Sequence, residues 1–243
     1  MNYRKHLRNI INEEESDQRK GLPLPPIQKP YPEDGVLIEL IQHEKFTIGD
    51  IPLLDAINNR ASRRKYTDEE LTLEELSFLL WTTQGVKRLE REDRITIRTV
   101  PSGGAMHPFE TYLVINRVEG IKPGLYRYIA IGHKLLFLKD LIPEKMPEVI
   151  GDICGGQTFT GKGSVVFIWS VRPYRTEYRY GEDSLKDVLM SVGHISQNLY
   201  LACEAINAGT CAIVAYYQDK LDQFIEVDGN NEIALYLAPV GKV

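Results

Sequence analysis

Between Leu185 and Ala208, apolar residues recur at the spacing of a helix face: Leu185, Val188, Leu189, Val192, Ile195, Leu199, Ala202 and Ile206. A period near 3.6 residues sustained this long predicts one buried helix, with Gly209 suited to its C-terminal stop. Lys186, Asp187, His194, Gln197, Asn198 and Glu204 interrupt the pattern, so the segment cannot be a membrane span. Inside that pattern His194 reads as a hydrogen-bonded core residue. The apolar run Ser164–Val171 has strand length and predicts a central strand.

Other elements follow from local chemistry. Thr72-Leu73-Glu74-Glu75 is a capping-box signal that opens a helix running through Trp81 to Gly85. Pro52–Asn59 predicts a short helix with proline in its first turn. Phe109–Asn116, Ala212–Ala215 and Ile233–Leu237 have strand character, and Gly124–Ile129 with His133–Leu138 form a hairpin around Ile131-Gly132. At the N-terminus, Tyr3–Ser16 reads as an amphipathic helix. The proline-rich stretch from Gly21 to Pro32 reads as an extended arm laid across a neighbouring surface, because proline fixes φ and removes backbone donors. The expected architecture is α+β: an N-terminal helix and arm over residues 1–47, then one domain over residues 48–243 with a central mixed sheet packed by helices.

Composition excludes several function classes. A net charge of −5 over 243 residues gives no broad basic field, so a general nucleic-acid binder is not expected. Met1–Lys20 is charged throughout, which predicts no signal segment. Three cysteines without CxxC spacing argue against a disulfide framework and for a soluble, cytoplasmic protein. The five histidines show no metal-ligand spacing, so no metal is expected. Gly156–Gly163 approaches a nucleotide P-loop, but glycine follows Lys162 where a magnesium-holding hydroxyl is needed, and a strand follows where a helix should start. No GxGxxG follows a strand, and no GxSxG elbow is present.

Two short stretches remain. Arg60-Ala61-Ser62-Arg63-Arg64-Lys65-Tyr66 puts four cations into six positions of an acidic chain. Arg60, Ser62, Arg64 and Tyr66 are spaced by two, so an extended backbone turns them to one side. Two guanidiniums flanking a hydroxyl suit a phosphate. In Pro101-Ser102-Gly103-Gly104 the paired glycines let the backbone approach something flat. Phosphate clamp and ring platform together point to flavin mononucleotide. Taken singly, each stretch also reads as an ordinary solvated face or turn.

In order and spacing, Arg60-x-Ser62-x-Arg64-x-Tyr66, Arg98-Thr99-Val100-Pro101-Ser102-Gly103-Gly104, Tyr178-Arg179-Tyr180-Gly181, Gly193-His194-x-x-Gln197-Asn198 and Ala238-Pro239-Val240-Gly241-Lys242 resemble the nitroreductase-like flavin-dependent superfamily. Within it they look like the SagB-type branch, which includes azoline dehydrogenases of peptide natural-product pathways. The resemblance implies a nitroreductase-like fold and a homodimer with non-covalent FMN at its interface. It implies that Arg60, Ser62, Arg64 and Lys242 hold the flavin phosphate and polar edge, and that Pro101, Ser102, Gly103 and Gly104 line the ring. The backbone of Ile213, Val214 and Ala215 then faces the reactive edge, where an amide stabilises charge formed on reduction. The proline-rich arm is expected to wrap the partner.

The sequence departs from that branch at Arg179-Tyr180, where azoline-oxidising members carry a Lys-Tyr pair taken to be catalytic; Asp183 and Lys186 differ from its basic pattern as well. Arginine is no base near neutral pH, which leaves Tyr180 for proton transfer, its plainer alternative being a loop aromatic that packs the dimer. Three activities are compatible with this reading: an FMN oxidoreductase working with NAD(P)H and a small organic acceptor, an oxygen-using peptide dehydrogenase, and a flavin-binding protein without turnover.

Overall fold

The computed structural model describes residues 16–243, so the helix expected over Tyr3–Ser16 lies, apart from Ser16, outside the described residues. In chain order the main elements are β1 (Leu37–Glu39), α1 (Leu53–Asn59), α2 (Leu73–Gln84), β2 (Val86–Glu90), β3 (Ile95–Arg98), β4 (Phe109–Ile115), β5 (Gly124–Ile129) and β6 (Lys134–Asp140). They continue with α3 (Met146–Ile153), β7 (Val165–Val171), α4 (Pro173–Tyr180), α5 (Leu185–Glu204), β8 (Ala208–Thr210), α6 (Gln218–Phe224) and β9 (Ile233–Lys242). Seven strands form one sheet in the order β1-β6-β5-β4-β7-β9-β8, and β2-β3 is a separate hairpin. The sheet expected to be mixed is antiparallel at each junction. Among the described residues parallel pairing enters only as the isolated bridges Ser62–Thr210 and Leu71–Val118.

β4 and β7 occupy the middle, paired with Leu113 opposite Phe167, and every residue of both is buried. Alternation sorts their side chains onto two faces. Phe109, Leu113, Phe167 and Trp169 pack with Leu79 and Leu80 of α2 and with Ile195 and Leu199 of α5. Tyr112, Val114, Val166 and Ile168 pack with Ile150 of α3 and Leu221 of α6. Helices therefore cover both faces, giving three layers. Among the described residues no helix is long and apolar enough to cross a membrane.

The capping box is present: Thr72 Oγ1 accepts from Glu75 N (3.1 Å) while Glu75 Oε2 accepts from Thr72 N (2.9 Å). Other expectations need correction. Helix α5 ends at Glu204, Asn207 takes the left-handed conformation (φ 52°), and Gly209 pairs with Gly241 in β8. A short amide side chain tolerates that turn, so glycine was free to serve elsewhere. The strand expected at Ala212–Ala215 shrinks to one bridge, Ile213–Leu237. His194 is exposed, as are Leu185, Leu189 and Met190, because α5 turns one partly apolar stripe away from the core.

The surface that receives the arm is the chain's own sheet. Prolines leave carbonyls without a regular ladder, and three buried guanidiniums donate to them. Arg175 reaches Pro26 O (2.9 Å), Arg98 reaches Ile27 O (3.5 Å), and Arg127 reaches Lys29 O (3.1 Å) and Pro30 O (2.9 Å). Lys29 N donates to Glu110 Oε1 (2.8 Å), and the same carboxylate pairs with Arg175 at 2.5 Å. Burial pushes the Glu110 carboxyl up, but Arg175 and Arg127 outweigh it and hold it below the ordinary carboxylate range. The stability this pair contributes is therefore complete above the unfolded carboxylate pKa, about 4.3, and is lost as pH falls below it. Arg175→Met should cost about 3–5 kcal/mol in chemical denaturation at neutral pH by stranding Glu110. That deficit should shrink as the pH is lowered through the carboxylate range.

Candidate functional site

The backbone leaving α1 extends at Arg60 (φ −52°, ψ 119°), and Ser62 then bridges Thr210 while Arg63 N donates to Thr210 O (2.9 Å). Extension separates the cations by parity. Arg63 turns inward and pairs with Glu204 at 2.9 Å. Arg60 lies over the Tyr200 ring (5.3 Å) and Arg64 over Phe159 (5.8 Å). Neither Arg60 nor Arg64 has a carboxylate partner among the described residues. Ser62 Oγ sits 3.0 Å from the Tyr200 hydroxyl. Tyr66 leaves this row: its hydroxyl donates to Arg63 O (2.9 Å) and its ring packs on Gly241.

Lys242 lies at the same edge but is occupied, bonded to the Glu75 carboxylate and to Ile206 O (2.9 Å). Ala212 N donates to the Tyr200 hydroxyl (3.0 Å), and Ile213 N to Leu237 O (2.8 Å). The next residues are open: Val214 is 74% exposed, and the amides of Val214 and Ala215 have no acceptor among the described residues. Tyr200 thus fastens the clamp to the amide segment. No motif marked it in the sequence; its place on α5 beside the clamp did.

The glycine loop forms a second group. Ser102 Oγ accepts from His107 N (3.1 Å) and lies 3.3 Å from Ser191 Oγ of α5. Gly104 is left-handed (φ 57°), and a Cβ there would stand 2.8 Å from the Arg179 side chain. A Cβ on Gly103 would stand 2.5 Å from the Asp187 carboxylate. In this chain the glycines thus admit Arg179 and Asp187. Tyr180 is the last residue of α4 rather than a loop residue. Burial raises its hydroxyl pKa while Arg179 opposes the rise. Burial also raises the Asp187 carboxyl, again against Arg179. Asp187, which the sequence showed only as an interruption of a helix, sets its carboxylate against Gly103 of the loop.

The two groups do not meet within one chain. Ser191 holds the loop and Tyr200 holds the clamp, and nine residues along a helix rotate by about 900°, placing them on opposite sides of α5 and about 13 Å apart along it. Among the described residues no cluster of His, Cys, Asp or Glu is placed to hold a metal.

Residues 57–242 match the Nitroreductase family. The chain belongs to that family. A nitroreductase-type protein of Methanocaldococcus jannaschii is 32% identical over 195 residues, 80% of this chain and 93% of the relative. The trifolitoxin operon protein TfxC of Rhizobium leguminosarum is 26% identical over 78% of this chain, which spans 55% of TfxC. A nitroreductase-type structure from Ralstonia eutropha superposes with a TM-score of 0.69 at 21% identity, covering 91% of this chain and 99% of that one, and shows the same fold. For a nitroreductase-family chain whose clamp hangs on Tyr200, Tyr200→Phe should cost about 1 kcal/mol in thermal or chemical denaturation by depriving Ser62 and the Ala212 amide of their partner.

Proposed function

We propose that this nitroreductase-family protein is an FMN-dependent oxidoreductase that takes hydride from NAD(P)H and delivers it to a small organic acceptor. The observation that carries the reading is the clamp: two guanidiniums without carboxylate partners flank a hydroxyl on one side of an extended backbone. That donor set fits a phosphate monoester, and the unpaired amides of Val214 and Ala215 fit an electron-rich ring edge. Bound non-covalently, FMN supplies a reversible hydride carrier. Arg60, Ser62 and Arg64 would hold its phosphate, and the amides of Val214 and Ala215 would orient the ring and favour negative charge on it, with Ile213 tied to Leu237 behind them. Pro101, Ser102, Gly103 and Gly104 would wall the ring, with Tyr180 beside them to hold or pass a proton at its hydroxyl.

Because α5 turns clamp and loop to opposite sides, a complete site needs the loop of a second copy, which the reading supplies as a two-fold homodimer. The exposed apolar residues Leu53, Leu54 and Ile57 of α1, with Leu189 and Met190 of α5, suit such an interface. Light scattering should give twice the monomer mass; a monomer that binds FMN with full affinity would overturn this arrangement.

A second reading draws on the likeness to TfxC: a SagB-type dehydrogenase that oxidises a peptide azoline and returns electrons to oxygen. Arg179 in place of a basic lysine weighs against it, since a guanidinium does not accept a proton near neutral pH. The purified protein should show flavin absorption bands that bleach anaerobically with NADPH or NADH. Bands that resist both donors but bleach with an azoline peptide would favour the second reading. Arg60→Ala or Arg64→Ala should weaken FMN binding about tenfold or more through loss of a charge-assisted bond, whereas unchanged affinity in both would return these residues to a solvated face.

A further inference from the structure

Beside the glycine loop lies a cavity of about 280 Å3. Arg91 and Arg94 of the β2–β3 turn, Arg179 of α4, Gly104, Tyr178 and Gln18 are among the residues that line it, and none of its lining residues is acidic. Three arginines thus line one space in a chain whose net charge is −5.

Their pairing elsewhere is slight. Arg94 also bonds the Glu92 carboxylate, an exposed contact that water screens. Arg91 and Arg179 have no carboxylate within ion-pair distance among the described residues, although the Asp187 carboxylate against Gly103 is near enough for Arg179 to oppose the rise of its pKa. The walls are fixed: Gln18 N donates to Tyr178 O (2.9 Å), and the Tyr178 hydroxyl donates to Leu22 O (2.9 Å), which fastens the arm to α4. The turn is held in an uncommon form, since Arg91, Glu92 and Asp93 all have positive φ (54°, 57° and 62°) although none is glycine.

Arg91, Arg94 and Arg179 still repel one another, since of the three only Arg94 has a carboxylate at ion-pair distance among the described residues, and an anion in the cavity relieves that repulsion. Planar forks at three points around a neutral wall match a dianion with several acceptor oxygens better than a single carboxylate. We propose that this cavity is a phosphate site, separate from the Arg60–Arg64 clamp, which takes the phosphomonoester group of a reactant. Gly104 belongs both to the cavity and to the loop, so the phosphate is anchored next to the wall of the reaction site. The identity of the reactant rests on the oxidoreductase reading: the phosphate belongs to the 2′-position of NADPH or to the substrate. The site itself does not depend on that reading.

The test compares wild type with the double variant Arg91→Gln/Arg94→Gln, both saturated with FMN so that the clamp is filled, by calorimetric titration with inorganic phosphate and with adenosine 2′-monophosphate. Both substituted positions are exposed, so the fold should be kept, which circular dichroism verifies. Wild type should bind phosphate, and the double variant should bind it about tenfold or more weakly. If kcat/KM for NADPH falls by a similar factor while that for NADH holds, the donor brings the phosphate. If both donors are unaffected while phosphate binding is lost, the substrate brings it. No phosphate binding by wild type, or equal binding by both proteins, overturns the site. Protein that never takes up FMN, yet loses phosphate affinity in the double variant, would sink the flavin reading and leave the site standing.

Discussion

A sheet whose two central strands bury both faces has to be covered twice, and the rest of this fold follows from that requirement. β4 and β7 offer no solvent side, so α2 and α5 close one face and α3 and α6 the other. The longest covering element, α5, cannot lie flat against the sheet along its whole circumference. Its remaining sides carry Ser191 toward the glycine loop and Tyr200 toward the clamp, and leave Leu189 and Met190 uncovered. The division of the candidate site into two halves is therefore a consequence of core packing. Neither half is a loop decoration that could drift independently of the sheet.

The sequence was legible where local chemistry has one answer. Thr72 and Glu75 announce a helix start wherever they fall, and an unbroken apolar run such as Val165–Trp169 has few homes other than a central strand. It was less legible where a pattern counts apolar residues without saying what covers them. Leu185, Leu189 and His194 fitted a buried helix by spacing, yet they face outward, because helical spacing gives a stripe's position but not its neighbour. Ala212–Ala215 looked like a strand because β-branched residues are common there, but Val214 and Ala215 leave the sheet and expose their amides. The clamp residues were visible because alternation is itself a geometric statement. Tyr200 and Asp187 were not, since their role comes from contacts across long sequence separations, Ser62 in one case and Gly103 in the other.

Arginine serves three different purposes here, and surroundings decide which. Arg98, Arg127 and Arg175 are buried and spend their donors on arm carbonyls that proline leaves without a ladder. Arg63 is bound to Glu204 and reads as scaffold. Arg60, Arg64, Arg91 and Arg179 keep at least part of their fork unclaimed, and these are the ones at the proposed clamp and the proposed phosphate cavity. A count of positive charges along the chain would not separate these groups. The identity of each donor's acceptor does.

Glu75 gives one carboxylate oxygen to the first turn of α2 and the other to Lys242 at the end of β9. Lys242 thus comes with a counter-ion already in place, while Arg60 and Arg64 do not. An anion arriving at that edge meets two ready cations and one engaged cation. To recruit the third it must compete with a group that also closes a helix. The helix cap fixes the Glu75 carboxylate through one oxygen while the other holds Lys242, so the same residue that starts α2 also sets how much of the Lys242 charge a ligand can draw.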